Sequence, residues 1–335
     1  MGSILPHVVP AQFASSSRVL TLAHSPDPDD AFMWWPMTGK SHPDGSEVAG
    51  EEKPRMDTGG ISYQAVPADI EVLNRRALAQ GDLDITALSF RAYCDVKDRY
   101  AITHCGSSFG DGFGPKVVAK VDGAGKTMDL AALRDEGMRI AIPGKRTTAF
   151  LLLSMMLGKE SIRKQERFVE LPFDQIIGAV ARGEAEAGLV IHEGQLLFAQ
   201  AGLGLVADTG AWWKAQTGLP VPLGCNVVAR DIEKRLGAGS IAQVSRTLRA
   251  SIEYALAHRA ESLAYTMPFA LANAAKKGAE ESGKPTLERV DTYVHMYVNR
   301  WTVDMGEEGR EAVRRLLTSG FELGLCANPG ALDVV

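Results

Sequence analysis

The sequence is poor in the groups that redox and metal chemistry need. Four cysteines stand among 335 residues, at Cys94, Cys105, Cys225 and Cys326. No two are close enough for a CxxC pair, which argues against a zinc knuckle or a thioredoxin-type motif. HExxH, a Cys/His cluster, a Gly-rich dinucleotide fingerprint and a GxxxxGK[ST] loop are all missing, so no metal and no cofactor is inferred. Positive charge is also scarce: 36 Lys and Arg face 41 Asp and Glu, for a formal charge of −5. With no basic stripe, nucleic acid is not an expected partner. No apolar run approaches the roughly 18–20 residues of a membrane helix, so no membrane partner is expected. Residues 1–17 lack the basic start and long apolar core of a secretory signal and read as a flexible extension. The few scattered thiols and this start together give the expectation of a cytoplasmic protein. No exposed apolar stripe can be told from core, so the oligomeric state stays open.

What is present is an ordinary globular composition, 45% hydrophobic and 23% charged. The length suggests two domains or two lobes. Strand and helix signals alternate, the pattern of an α/β fold. Arg18–Ala23 reads as a strand, Ser25–Asp30 as a turn and Ala31–Trp35 as a helix. Residues 38–60 form a loop rich in Gly, Pro and acid. Asp69 can cap a helix with Ile70, Leu73, Ala77 and Leu78 on one face. Strands follow at 84–89, 116–120, 139–142 and 187–191, with helices at 149–157, 174–182, 241–257, 286–298 and 307–323. Residues 274–285 read as an exposed connection. Two stretches share a helix–Gly–acid–strand plan: LNRRALAQGDLDITAL, ending at Leu88, and IGAVARGEAEAGLV, ending at Val190. A second pair is DDAFMWW from Asp29 and TTAFLLL from Thr147. The repeat predicts two similar α/β lobes, with a ligand beyond the carboxyl ends of their strands. Those ends are Ser25, Ser89, Pro143–Thr148 and Ile191–Glu193.

Several residues at these ends could carry chemistry. His192 ends an uncharged run, and an imidazole there can act as a general base; the alternative is a satisfied structural histidine. Thr147 and Thr148 open a helix whose free amides suit a carboxylate or phosphate, or they only cap it. Ser89 ends the matching strand as a turn residue or a ligand contact, with no GxSxG around it. Asp27, Asp29 and Asp30 read most simply as acidic caps of the following helix. Trp212 and Trp213 read as packing residues, and His295 as lying off the apolar face of its helix.

Together these stretches resemble the 1,4-dihydroxy-6-naphthoate synthases of the futalosine route to menaquinone. The carrying segments are SPDPDDAF (25–32), ITALSFRAY (85–93), GFGPKVVAK (112–120), IAIPGKRTTAFLLL (140–153), GEAEAGLVIHE (183–193), GAWWKAQTGLPVPLG (210–224) and YVNRWTVDMGEEG (297–309). The resemblance implies the two-lobed fold of class II periplasmic binding proteins, with a ligand cleft between lobes. Crossing strands would lie at about 112–120 and 219–230, giving a first lobe of 18–114 plus 224–335 and a second of 115–223. It also implies a cofactor-independent lyase acting on a small anionic substrate: cyclic dehypoxanthinyl futalosine is split to 1,4-dihydroxy-6-naphthoate and dihydroxyacetone. His192 would be the base, Thr147 and Thr148 the paired threonines that hold substrate, and Leu88 and Ser89 the Leu-Ser contact. Activity would then rise at about pH 6–7, near the ordinary imidazole pKa.

Two departures stand out. The family's opening motif is usually SPCPNDTF, where this chain has Asp27, Asp29 and Ala31. Such extra negative charge disfavours an anionic substrate unless the aspartates point elsewhere. The residue before Leu-Ser is often Lys and here is Ala87, so only a backbone contact carries over. Lys116, Lys145 or Arg146 could supply the lost charge. The rivals are the sister chorismate dehydratase on the same fold and a non-catalytic solute-binding protein.

Overall fold

The computed structural model describes residues 18–276 and 285–335. The predicted extension 1–17 and most of the connection at 274–285 lie outside these residues.

The chain builds one sheet, leaves it to build a second, and returns. β1 (Val19–His24), β2 (Ser62–Pro67) and β3 (Ile85–Ser89) are parallel, with β1 between the other two. β4 (Tyr100–Ile102) and β5 (Ser108–Gly110) lie beyond them. The second sheet takes β6 (Lys116–Lys120), β7 (Ile140–Ile142), β8 (Phe168–Glu170), β9 (Ala187–Val190) and β10 (Leu203–Asp208), in the order β10-β6-β9-β7-β8. β11 (Val221–Ala229) then runs back antiparallel to β3, β4 and β5. The two sheets share one plan. β2-β1-β3-β11-β4 matches β8-β7-β9-β6-β10, each with three parallel strands followed by an antiparallel one. This is the internal repeat of the sequence in three dimensions.

The segments fold this way for local reasons. Every residue of β3 and β9 is buried, as expected of strands covered on both faces, which read as unbroken apolar runs. Pro28 opens the helix Pro28–Thr38, where its fixed φ and missing N–H do no harm. That helix buries Phe32, Trp34 and Trp35 because the helices Ser240–Ala257 and Arg259–Lys276 pack on it. Asp69 caps the helix Ile70–Ala79 as expected, accepting from the amides of Glu71 and Val72. Phe90–Val96 and Arg259–Lys276 are among the helices that escape sequence reading. Phe90–Val96 is a short, mostly buried segment without an amphipathic period. Arg259–Lys276 contains Pro268, which reads as a breaker in an isolated chain.

Candidate functional site

The carboxyl ends of both sets of parallel strands open on one shared cavity. Ala87, Leu88 and Ser89, at the end of β3, line it from the first sheet. Thr147 and Thr148, following β7, and His192, following β9, line it from the second. All six sequence candidates therefore meet in one place. Their side chains do different things there.

Leu88 is fully buried in the first lobe's core, so only its backbone is available to a ligand. Ala87 pairs with Asn226 across β3 and β11. The Ser89 hydroxyl accepts from Asn74 Nδ2 at 3.1 Å, and its N–H donates to Asn74 Oδ1 at 3.0 Å. Thr147 is a true N-cap: its hydroxyl accepts from the Phe150 amide at 3.1 Å and donates to the Gly144 carbonyl at 2.8 Å. Thr148 Oγ1 accepts from the Arg91 amide of the first lobe at 3.2 Å. The Thr147 hydroxyl is thus engaged as donor and acceptor, while the Thr148 hydroxyl accepts one bond and keeps its O–H to donate. The anion-seeking groups at this helix start are the first-turn amides of Thr148 and Ala149, which have no acceptor within the helix itself. The turn that delivers them passes Gly144, at φ +148°, where an added Cβ would lie 2.4 Å from the Glu71 carboxyl carbon. Only glycine lets the two lobes approach this closely here.

His192 occupies strained backbone. Its φ of 54° makes it the non-glycine residue with positive φ among the described residues, a conformation that L-residues hold only under tertiary constraint. Its Nδ1 lies 2.8 Å from Asp27 Oδ2, and its ring meets Phe173 edge-on at 4.9 Å. Nε2 is enclosed and has no hydrogen-bond partner in the protein. Burial alone would pull this imidazole down. The charge and hydrogen bond of Asp27, with Glu193 and Asp29, more than reverse that and hold it up at about 9. In the free protein this shift favours the protonated imidazole at neutral pH, which would move an activity rise above the expected pH 6–7.

Asp27 also corrects the reading of the acidic residues as helix caps. It stands at the N-cap position but its side chain caps nothing. It is 0% exposed, and its oxygens take the Ser25 hydroxyl at 2.5 Å and Asn273 Nδ2 at 2.9 Å as well as His192. The cationic ring across the cleft and these two donors outbid the helix amides. Asp30 likewise accepts from the Ser25 amide and Trp34 Nε1. Asp29 lines the cavity; burial first, then the neighbouring Asp30 and Asp27 charges, push its carboxyl well up.

The replacement cations do not arrive. Lys116 pairs with Asp208 at 3.2 Å, and Lys145 reaches the Gln165 carbonyl at 3.4 Å. Neither they nor Arg146 line the cavity. Among the described residues that do, none is a lysine or arginine, and His192 is the basic side chain. Trp213 packs as expected, its Nε1 donating to the Pro220 carbonyl, and His295 is exposed.

Sequence reasoning missed Asn74, Ser107, Gln195, Asn226, Tyr293 and Tyr297. Gln195 Nε2 donates to the Tyr297 hydroxyl at 2.7 Å, joining the lobes, and Asn226 Nδ2 donates to the Gly106 carbonyl. Their Oε1 and Oδ1, like Asp29 Oδ1 and Ser107 Oγ, are buried without a protein partner. Buried polar atoms are nearly always satisfied, so this wall is suited to a ligand rich in hydroxyl donors. No local motif announces such residues; the i, i+4 spacing of Tyr293 and Tyr297 on one buried helix face was the one available signal.

The comparisons with known proteins agree with this geometry. The family described as Menaquinone biosynthesis matches residues 20–322. A Thermus thermophilus protein named 1,4-dihydroxy-6-naphthoate synthase is 39% identical over 313 residues, 92% of this chain and 97% of the relative. A Streptomyces coelicolor protein of the same name is 31% identical over 310 residues, 92% of this chain and 95% of the relative. Among solved structures, a protein from Archaeoglobus fulgidus has a TM-score of 0.73 at 36% identity, covering 92% of this chain and 99% of that one. An alkanesulfonate-binding protein from Xanthomonas axonopodis has a TM-score of 0.59 at 14% identity, covering 96% and 99%; at that identity it shows the fold alone, the periplasmic-binding-protein fold. With two lobes, a shared strand-end cavity and relatives matched along nearly their whole length, the chain belongs to the menaquinone biosynthesis family.

Proposed function

We propose that this protein converts cyclic dehypoxanthinyl futalosine to 1,4-dihydroxy-6-naphthoate and dihydroxyacetone, with His192 transferring the proton. The observation that carries the reading is His192 itself: a strained strand-end imidazole on the cavity wall, anchored through Nδ1, whose buried Nε2 has no protein hydrogen-bond partner. The substrate's carboxylate suits the first-turn amides at Thr148 and Ala149. Its sugar hydroxyls suit the unpartnered acceptors of Asp29, Gln195 and Asn226. Ala87, Leu88 and Ser89 offer backbone and hydroxyl contacts on the opposite wall. Breaking the spiro sugar is driven by formation of an aromatic system, so the protein need only move a proton at the right atom and stabilise the developing oxyanion. A cavity walled by both lobes supports both by limiting the water around the reacting atoms. We read the lobes as 18–114 plus 224–335 and 115–223.

The test is incubation of purified protein with the cyclic futalosine, followed by mass spectrometry. Naphthoate is expected from the wild type. His192→Asn keeps a polar side chain of similar volume, and its rate is expected to fall by ~10²–10⁴-fold, the usual loss when a general acid–base group is removed. Near wild-type turnover by His192→Asn would place the proton transfer elsewhere.

A further inference from the structure

The family resemblance leaves position 27 unexplained, because the usual opening motif carries cysteine where this chain has aspartate. Asp27 follows β1 of the first sheet and His192 follows β9 of the second, so their 2.8 Å contact spans the cleft. The aspartate is immobilised from three sides, by Ser25, by Asn273 of the helix Arg259–Lys276 and by His192 itself. The histidine is fixed in a backbone conformation that its own local sequence disfavours. A ring bonded through Nδ1 has one nitrogen left, and the carboxylate that holds Nδ1 sets both which nitrogen that is and how basic it is.

We propose that Asp27 is the positioning residue for His192: its carboxylate fixes the Nδ1 proton and the ring plane from across the cleft, and the imidazole gains that partner only when the two lobes meet. The proposal rests on the reading of His192 as the proton-transfer group. It explains why the aspartate does not repel an anionic substrate, since its charge is matched before substrate arrives.

Other titratable groups face the same ring or its neighbourhood. Asp29 and Asp30 come from the helix Pro28–Thr38, Asp69 from the start of Ile70–Ala79, and Glu193 is the next residue. Tyr293 and Tyr297 come from Leu287–Tyr297, and His24 ends β1. Asp27 is hydrogen-bonded to the ring at Nδ1.

The experiment compares wild type, Asp27→Asn and Asp27→Cys by nitrogen-15 NMR of the histidines, with His192→Asn assigning the signal. Asp27→Asn keeps shape and removes charge; Asp27→Cys restores the usual family residue and guards against a fold defect in the first. The His192 titration is expected to fall by about two pH units in both, toward the ordinary imidazole range near 6.5. The rising limb of kcat against pH should fall with it, and the plateau should drop by ~10–100-fold, the loss seen when a carboxylate that orients a functional histidine is removed. KM should change little. A His192 titration that stays where it is in both variants overturns the proposal. If the wild type makes no naphthoate, the lyase reading fails while the titration still decides the pair.

Discussion

His192 holds a conformation that a side chain disfavours, and it does so for the position of its ring. The left-handed backbone costs an L-residue roughly 1–2 kcal/mol relative to glycine. His192→Gly is therefore expected to be more stable than His192→Ala by about that amount, in thermal unfolding, although both lack the imidazole. The ion pair with Asp27 has its own pH signature. An imidazole near 6.5 when unfolded and about 9 when folded adds stability that is complete below pH 6.5 and is lost as pH rises through 9. The shift corresponds to about 3 kcal/mol. The gap in Tm between wild type and Asp27→Asn should thus close between pH 6.5 and 9.5. Asp29 works in the opposite sense. Its carboxyl is pushed up by burial and by Asp30 and Asp27, so the folded state is penalised as pH rises above the ordinary carboxylate range. Asp29→Asn should raise Tm at neutral pH by about 2–4 °C for each 1 kcal/mol recovered. At this scale the sequence was half legible. The strand-end position marked His192, but Asp27 lay in a turn where an acidic cap is the commoner use, and nothing local shows that a ring from 165 positions away will claim it.

Among the elements, the helix Thr148–Leu157 shows how capping and binding divide the work. The Thr147 hydroxyl is spent on the Phe150 amide and the Gly144 carbonyl, which leaves ligand contact to the amides that follow. Thr147→Ala should cost about 1 kcal/mol of stability, whereas Thr147→Ser, which keeps the cap, should cost little. Urea unfolding of the two variants distinguishes a cap from a direct ligand group. The helices with a clear apolar face, such as Ser240–Ala257 and Gly306–Glu322, were readable to within a residue or so. The three-residue strands β4, β5 and β8 were not. Their pairing comes from neighbours far along the chain, and three residues carry no period of their own.

For the whole molecule the question is what holds the cleft shut. Arg75 reaches Glu170 across it, but their side chains are 59% and 34% exposed, and such pairs are worth about 0–1 kcal/mol. The buried contacts Asp27–His192 and Gln195–Tyr297 carry more, since an unmet buried partner costs roughly 1–3 kcal/mol. Solution scattering should show a decrease in radius of gyration on adding product or substrate analogue. Arg75→Ala should leave that change intact and Gln195→Ala should reduce it. The doubled strand order has a further effect, on the birth of the molecule. β11 sits between β3 and β4, yet it is made after all five strands of the second sheet. A ribosome that has released residue 210 has supplied the later sheet in full and the earlier one without its central strand. Domains ordinarily mature in the order of synthesis. Here the sheet begun first is completed last, and until β11 arrives β3 presents an open edge, the kind of surface that chaperones and stray strands bind.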